Sequence, residues 1–250
     1  MKYIAIIFFI LPLFSNAQSA SFKEIYITEK NDKSIDTLIT YPVIILKNNI
    51  AASKINAAIR NRIFFDDEND KTKTTTALLR RDREERHLYL YYEALLNQKG
   101  ILSFDMIMEA TGMYTSNWTE YFNFDLNTGK EIVLKDFIRP EKYESFKEEV
   151  FRRKKDSLQQ YLGDMKQSVI DGDISQDLYD DDTAVLANEG CMDSISLQTF
   201  HITNSYIQID DNCFFPHAMM AEQPYYELTF DLLSLKEILK PKIFQKLVAK

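Results

Sequence analysis

Residues 87–130 read HLYLYYEALLNQKGILSFDMIMEATGMYTSNWTEYFNFDLNTGK, and the turns that punctuate them decide the fold. His87 to Leu96 has the aromatic and apolar density of a strand, and Asn97-Gln98-Lys99-Gly100 supplies a turn. Ile101 to Glu109 is the returning strand. Trp118 to Leu126 alternates, with Trp118, Phe122 and Phe124 near one side and Tyr121 on the other. Asn127-Thr128-Gly129-Lys130 is the next turn, because Gly129 accepts a positive φ. Glu131 to Leu134 returns once more. The spacing predicts a meander of about four antiparallel strands over 87–134.

Helical periods flank this block. Upstream, 22–46 reads as extended, rich in β-branched residues, with Pro42 marking an edge or a bulge. Over 49–64, Ala52, Ile55, Ala58, Ile59 and Ile63 recur at helical spacing, and Asn48 or Asn49 can cap the first turn. Residues 66–86 are charged and polar, which predicts an exposed loop or a short solvated helix. Downstream, Pro140 opens a second long helix. Its apolar stripe is Tyr143, Phe146, Val150, Leu158, Tyr161, Met165 and Val169, and Gly172 is its stop. Within it, Arg152 to Lys155 reads as a solvated face. Strands are expected in 197–210 and 225–231. Short closing helices are expected at Leu232 to Leu239 and Lys242 to Val248, separated by Pro241. Runs of strands between helices predict an α+β fold rather than alternating βαβ units. Its antiparallel sheet packs with two main helices and short C-terminal ones.

Composition narrows the class. The chain has 250 residues, 45% hydrophobic and 27% charged, with six Gly and six Pro, so collagen-like and disordered readings fall away. Its net charge of −8 is a poor basis for gripping a phosphate backbone, which excludes nucleic acid as a partner.

Residues 1–17, MKYIAIIFFILPLFSNA, have the charge, apolar run and small-residue ending of a cleaved signal peptide. No later stretch is apolar for the ~18 residues that a membrane span needs. An exported chain of residues 18–250 is therefore expected, periplasmic or extracellular, as one α+β domain or as two halves at 22–138 and 139–250. Losing Lys2 brings its charge to 29 − 38 = −9. In an oxidising compartment Cys191 and Cys213 are expected to form a disulfide, the alternative being two free buried thiols.

The usual chemical signatures are missing. His87, His201 and His217 form no HExxH, and the spacing of His201, Cys213 and His217 matches no zinc pattern. There is no G-x-S-x-G elbow, P-loop or dinucleotide fingerprint, and Cys191 lacks the surroundings of a nucleophile. No catalytic residue, metal or cofactor is expected. The acidic run at 171–182 places Asp171, Asp173, Ser175, Asp177, Tyr179 and Asp182 at the spacing of a Ca²⁺ loop. It lacks the glycine at the sixth position and the glutamate at the twelfth, so a solvated acidic loop is the leading expectation and a calcium site the other.

Three stretches together carry a resemblance. The first is Thr40-Tyr41-Pro42-Val43-Ile44 with Lys54-Ile55-Asn56. The second runs from Leu102-Ser103-Phe104 through Thr111-Gly112-Met113 to Phe122-Asn123-Phe124-Asp125-Leu126-Asn127-Thr128-Gly129-Lys130 and Leu134-Lys135-Asp136-Phe137. The third is Phe200-His201-Ile202-Thr203, Phe215-Pro216-His217-Ala218 and the Leu232 to Leu239 close. Over about 35–240 the chain resembles the exported domain shared by the lysozyme-sensing anti-sigma-V factor and the non-catalytic part of peptidoglycan deacetylase C. The resemblance implies an α+β fold, a bacterial envelope location and no intrinsic catalysis, and one member type implies lysozyme binding. The chain departs from the family at Gly112-Met113-Tyr114, where Gly-Ala-His is usual, and at Pro216-His217-Ala218-Met219-Met220, where Pro-Tyr-Ala-x-Gly is usual. The anti-sigma factor's cytoplasmic segment and membrane span have no counterpart in the sequence.

The functional expectation is an exported, non-catalytic binding module. Its partner would be a cationic envelope protein such as a lysozyme, or a cell-wall glycan such as peptidoglycan. The alternatives are a wall-active hydrolase or deacetylase, and a structural envelope protein. Loop aromatics are common anchors, which selects Tyr114, Asn117 and Trp118 after the second meander strand, and Phe215, Pro216 and His217, the alternative being that Trp118 and Phe215 are core residues.

Overall fold

The computed structural model describes residues 18–30, 35–64, 73–111, 115–188, 191–211, 213, 224, 226 and 228–248. The expected leader, residues 1–17, lies outside them.

The α+β expectation holds. Strands β1 (Ser21–Lys30), β2 (Ile35–Ile45), β3 (Tyr89–Gln98), β4 (Ile101–Thr111) and β5 (Thr115–Asp125) form one sheet in chain order. Every neighbouring pair is antiparallel except β2 and β3, which meet in parallel at Ile39 and Leu90 alone. The meander thus has three strands, not four. Glu131 makes only an isolated bridge to Phe124. Beyond it the chain turns into a short helix at Leu134–Phe137, because Leu134 and Phe137 leave the sheet to be buried elsewhere. The Asn127–Lys130 turn forms as read. Asp125 accepts the amides of Asn127 and Thr128, and Gly129 has φ +69°. A Cβ on Gly129 would lie 2.5 Å from the Ala51 carbonyl, so both backbone angle and space require glycine there.

Helix α1 (Asn49–Ile63) is capped by Asn48, whose side chain accepts the amides of Ile50 and Ala51. Helix α2 (Thr75–Arg86), capped by Thr74, is less solvated than its charges suggest. Leu78 and Leu79 are buried, and so is Asp82, which is held by Arg81 and Arg86 at 2.7 Å each. These helices, β2 and one face of the meander enclose the first core. It includes Ile39, Tyr41, Ile55, Ile59, Phe104, Phe122 and Phe124.

The short helix Leu134–Phe137 is α3. Helix α4 (Tyr143–Asp171) follows a 3-10 turn at Pro140–Lys142 and stops at Gly172, φ +81°. Helix α5 (Gln176–Asn188) follows it. Strands β6 (Phe200–Ile202), β7 (Tyr206–Ile209) and β8 (Leu228–Asp231) form a second antiparallel sheet, and α6 (Pro241–Val248) closes the described chain. Phe146, Val150, Ile202, Ile207, Phe230 and Leu239 build the second core, to which the meander contributes Leu96 and Ile101.

Three local expectations change. Lys154 is buried rather than solvated, because it continues the 146-150-158 stripe and reaches Asp211 at 2.7 Å and the Ser194 carbonyl at 3.1 Å. The acidic run is largely helical rather than a loop. Asp177 to Asp182 lie in α5, and buried Asp182 accepts a hydrogen bond from Tyr161 at 2.5 Å. A helix cannot wrap a cation as the Ca²⁺ loop does. Residues 232–239 form successive turns rather than a helix, with Leu235 accepting from both Ile238 and Leu239.

Candidate functional site

Side chains on neighbouring strands align in rungs, so the register of β3, β4 and β5 says what shares a face. On the face turned away from the first core the rungs are Tyr89–Glu109–Asn117, Tyr91–Ile107–Thr119 and Glu93–Asp105–Tyr121, followed by Leu96–Ser103–Asn123. The β6–β8 sheet covers the last of these. Ser103 Oγ accepts the Ile202 amide at 3.0 Å, and Asn123 Nδ2 donates to the Phe200 carbonyl at 2.6 Å.

The first two rungs are left open. They line a groove of about 660 Å³ with Thr40 of β2 on its far wall, because β2 and β3 touch at one bridge and then splay apart. Tyr89 and Tyr91 project into it side by side, 40% and 55% exposed. The Arg83 guanidinium lies 4.5 Å from the Tyr89 ring centre, which fixes that ring from α2. Glu109 and Asn117 add polar groups, and Leu38, Leu90, Ile107 and Met108 complete the lining.

At the third rung, open and covered regions meet. Asp105 Oδ2 lies 4.0 Å from Nδ1 of buried His201, and the Tyr121 and Tyr206 rings flank that imidazole at 5.4 and 5.9 Å. Burial, and behind it the charges of Glu93 and Asp210, pushes the Asp105 carboxyl up to about 7. Burial also lifts Asp210 above the ordinary carboxylate range, while a hydrogen bond from Tyr121 pulls it back and Asp211 pushes it up. This cluster can hold a proton near neutrality. Asp105 Oδ1 is closed to solvent, so that oxygen meets no external substrate in this conformation. Among the described residues no group of three or more His, Cys, Asp or Glu is placed to hold a metal ion. Nor is any described helix long and apolar enough to cross a membrane.

Of the residues selected from sequence, Asn117 and Trp118 lie within β5 rather than in a loop. Asn117 lines the groove. Trp118 stands opposite Met108 on the other face, 38% exposed, because adjacent strand residues point to opposite sides. Tyr114, Phe215, Pro216 and His217 lie outside the described residues. Cys191 and Cys213 pair as expected, with Cα atoms 5.5 Å apart, beside Leu158 and Leu186. Sequence reading passed over Tyr89 and Tyr91, although the alternation Leu88-Tyr89-Leu90-Tyr91 already separates a buried pair from an exposed one. The meeting of Asp105 with His201 had no local signal, since 96 residues separate them.

No protein-family model matches the chain, and neither does any curated protein. Among solved structures, a DUF3298 family member from Bacteroides fragilis NCTC 9343 superposes with a TM-score of 0.56 at 13% identity, over 93% of this chain and 99% of that one. A DUF3298 family protein from Pseudomonas aeruginosa PAO1 gives 0.47 at 13% identity, over 91% and 95%. The first likeness shows that this α+β arrangement is a fold shared with that family member.

Proposed function

We propose that this chain is an exported, non-catalytic binding module of the bacterial envelope, and that its partner is held in the groove of Tyr89 and Tyr91. One observation carries the reading: two tyrosines stand exposed, side by side, on a strand of a well-packed sheet. Paired rings on a rigid support give large contact area at little cost in side-chain freedom. Acidic Glu93 and Glu109 border them, and the exported chain would carry a charge of −9. A cationic protein such as a lysozyme is the partner that this charge favours, by cation–π contact and by steering. This agrees with the sequence resemblance to the lysozyme-sensing family.

A wall glycan is the second reading. It is favoured by the polar edge of the groove, where Thr40, Glu109 and Asn117 supply hydrogen-bonding groups beside flat aromatic faces. A wall-active hydrolase or deacetylase is less well supported, because the acid and histidine groups converge at a closed junction rather than in the groove.

Calorimetry with a C-type lysozyme, at low salt and at ~150 mM salt, tests the leading reading. Micromolar or tighter binding at the higher salt is expected, weakened by replacing both tyrosines with alanine. Heat at low salt only, or binding indifferent to the tyrosines, refutes the groove as the site. Binding to peptidoglycan fragments in place of lysozyme would select the second reading.

A further inference from the structure

We propose that the Asp105–His201 contact is a proton-operated latch between the two sheets: protonated Asp105 holds the β6–β8 sheet closed, and ionised Asp105 loosens it at the end of the Tyr89–Tyr91 groove. The latch itself is independent of what the groove binds. Only its consequence for a ligand rests on the binding reading above.

The geometry comes first. Strand β6 is the edge of the small sheet, and its outward backbone groups are satisfied by side chains of the main sheet, Ser103 and Asn123. His201 lies between those two attachments. Its imidazole reaches the one carboxyl on β4 that separates the covered rung from the open groove. A change in charge at Asp105 therefore acts at the seam, next to both attachments.

The surrounding charges give the direction. Glu93 faces Asp105 from β3, Tyr121 from β5, His201 from β6, and Asp210 from the end of β7, while Tyr206 of β7 backs the imidazole. The next carboxylate, Asp211, is paired with Lys154. Among the described residues no Lys or Arg forms an ion pair with Asp105 or Glu93. Ionised Asp105 thus sits in a poorly solvated seam beside two further carboxyl groups, and its neutral form is the one that the closed seam accommodates.

The closed state consequently binds the Asp105 proton more tightly than an opened state with an ordinary carboxyl, whose reference value is 3.8 against about 7 here. By linkage, seam closure is strongest at acidic pH. It weakens as pH rises from the ordinary value toward about 7, beyond which the ionised form prevails in both states.

Hydrogen exchange of the exported protein without ligand tests this, with the Ile202 amide as reporter because it donates across the seam. After correction for intrinsic exchange, protection of Ile202 and Ile207 should fall by roughly seventyfold between pH 5 and pH 7.5, because one linked proton changes closure about tenfold per pH unit until the pH reaches about 7. In Asp105→Asn, a neutral isostere, protection should stay high and flat. Glu93 is exposed, so Glu93→Gln should fold normally, and removing its charge should move the transition to lower pH. Flat protection in the wild type overturns the latch. An unchanged pH dependence in Asp105→Asn overturns Asp105 as its operator, and an unshifted Glu93→Gln transition overturns the electrostatic cause. The groove reading stands or falls separately, on the tyrosine variants.

Discussion

Ser103 and Asn123 face each other across β4 and β5, and each gives one hydrogen bond to β6: Ser103 takes the Ile202 amide and Asn123 serves the Phe200 carbonyl. A single rung of the main sheet therefore supplies both attachments of the small sheet's edge. Both residues are buried, so the bonds form away from competing water.

Removing either residue should leave a buried backbone group unsatisfied. Ser103→Ala and Asn123→Ala should each lower stability by about 1–3 kcal/mol. The double variant should lose less than the sum, because both bonds hold the same strand. Urea unfolding of the three variants measures this, and strict additivity would show that the two attachments act independently.

The two faces of the meander should separate in function. Tyr91→Ala should weaken partner binding about tenfold or more, roughly 1.4 kcal/mol, with little change in thermal stability, since the ring is mostly exposed. Trp118→Ala, on the opposite face, should leave binding unchanged. Calorimetry alongside thermal melts checks both, and a binding loss confined to Trp118→Ala would move the site to the other face.

Lys154 is the charge that the second core depends on. Lys154→Ala would leave Asp211 without its ion-pair partner, with an expected loss of about 3–5 kcal/mol. Lys154→Met combined with Asp211→Asn should recover much of that loss, because no uncompensated charge remains. Chemical denaturation distinguishes the single from the double variant.

The disulfide closes a loop whose ends are 22 residues apart, and both sulfurs lie in a small cluster with Leu158 and Leu186. Its reduction should lower stability by roughly 3 kcal/mol in the chain-entropy picture. Mass spectrometry should register a gain of two hydrogens, and the melting temperature should fall in step. An unchanged melting temperature would show that packing alone holds the loop.

Much of this was legible in the residues. The Gly100 and Gly129 turns placed β3, β4 and β5, and the spacing of Ile55 and Ile59 placed α1, because local periodicity and turn chemistry need no distant partner. Where distant partners decide, local reading failed. Glu131 to Leu134 resembles a strand, yet Leu134 is drawn into the second core. Lys154 looks solvated within Arg152 to Lys155 until Asp211, 57 residues away, neutralises it. Alternation put Trp118 on the side of Phe122 and Phe124, but only the register shows that this side is the face away from the groove, opposite Met108.

The sequence by itself determined the α+β class, the meander's turns, the helix caps and the cysteine pairing, because each depends on nearby residues or, for the two cysteines, on there being one possible partner. Only the tertiary structure decided that Tyr89 and Tyr91 share an open groove with Asn117, and that Asp105 meets His201 at its end. Those contacts join strands remote in the chain, and they depend on register and on which half of a sheet face the second sheet covers, quantities that no local pattern of residues encodes.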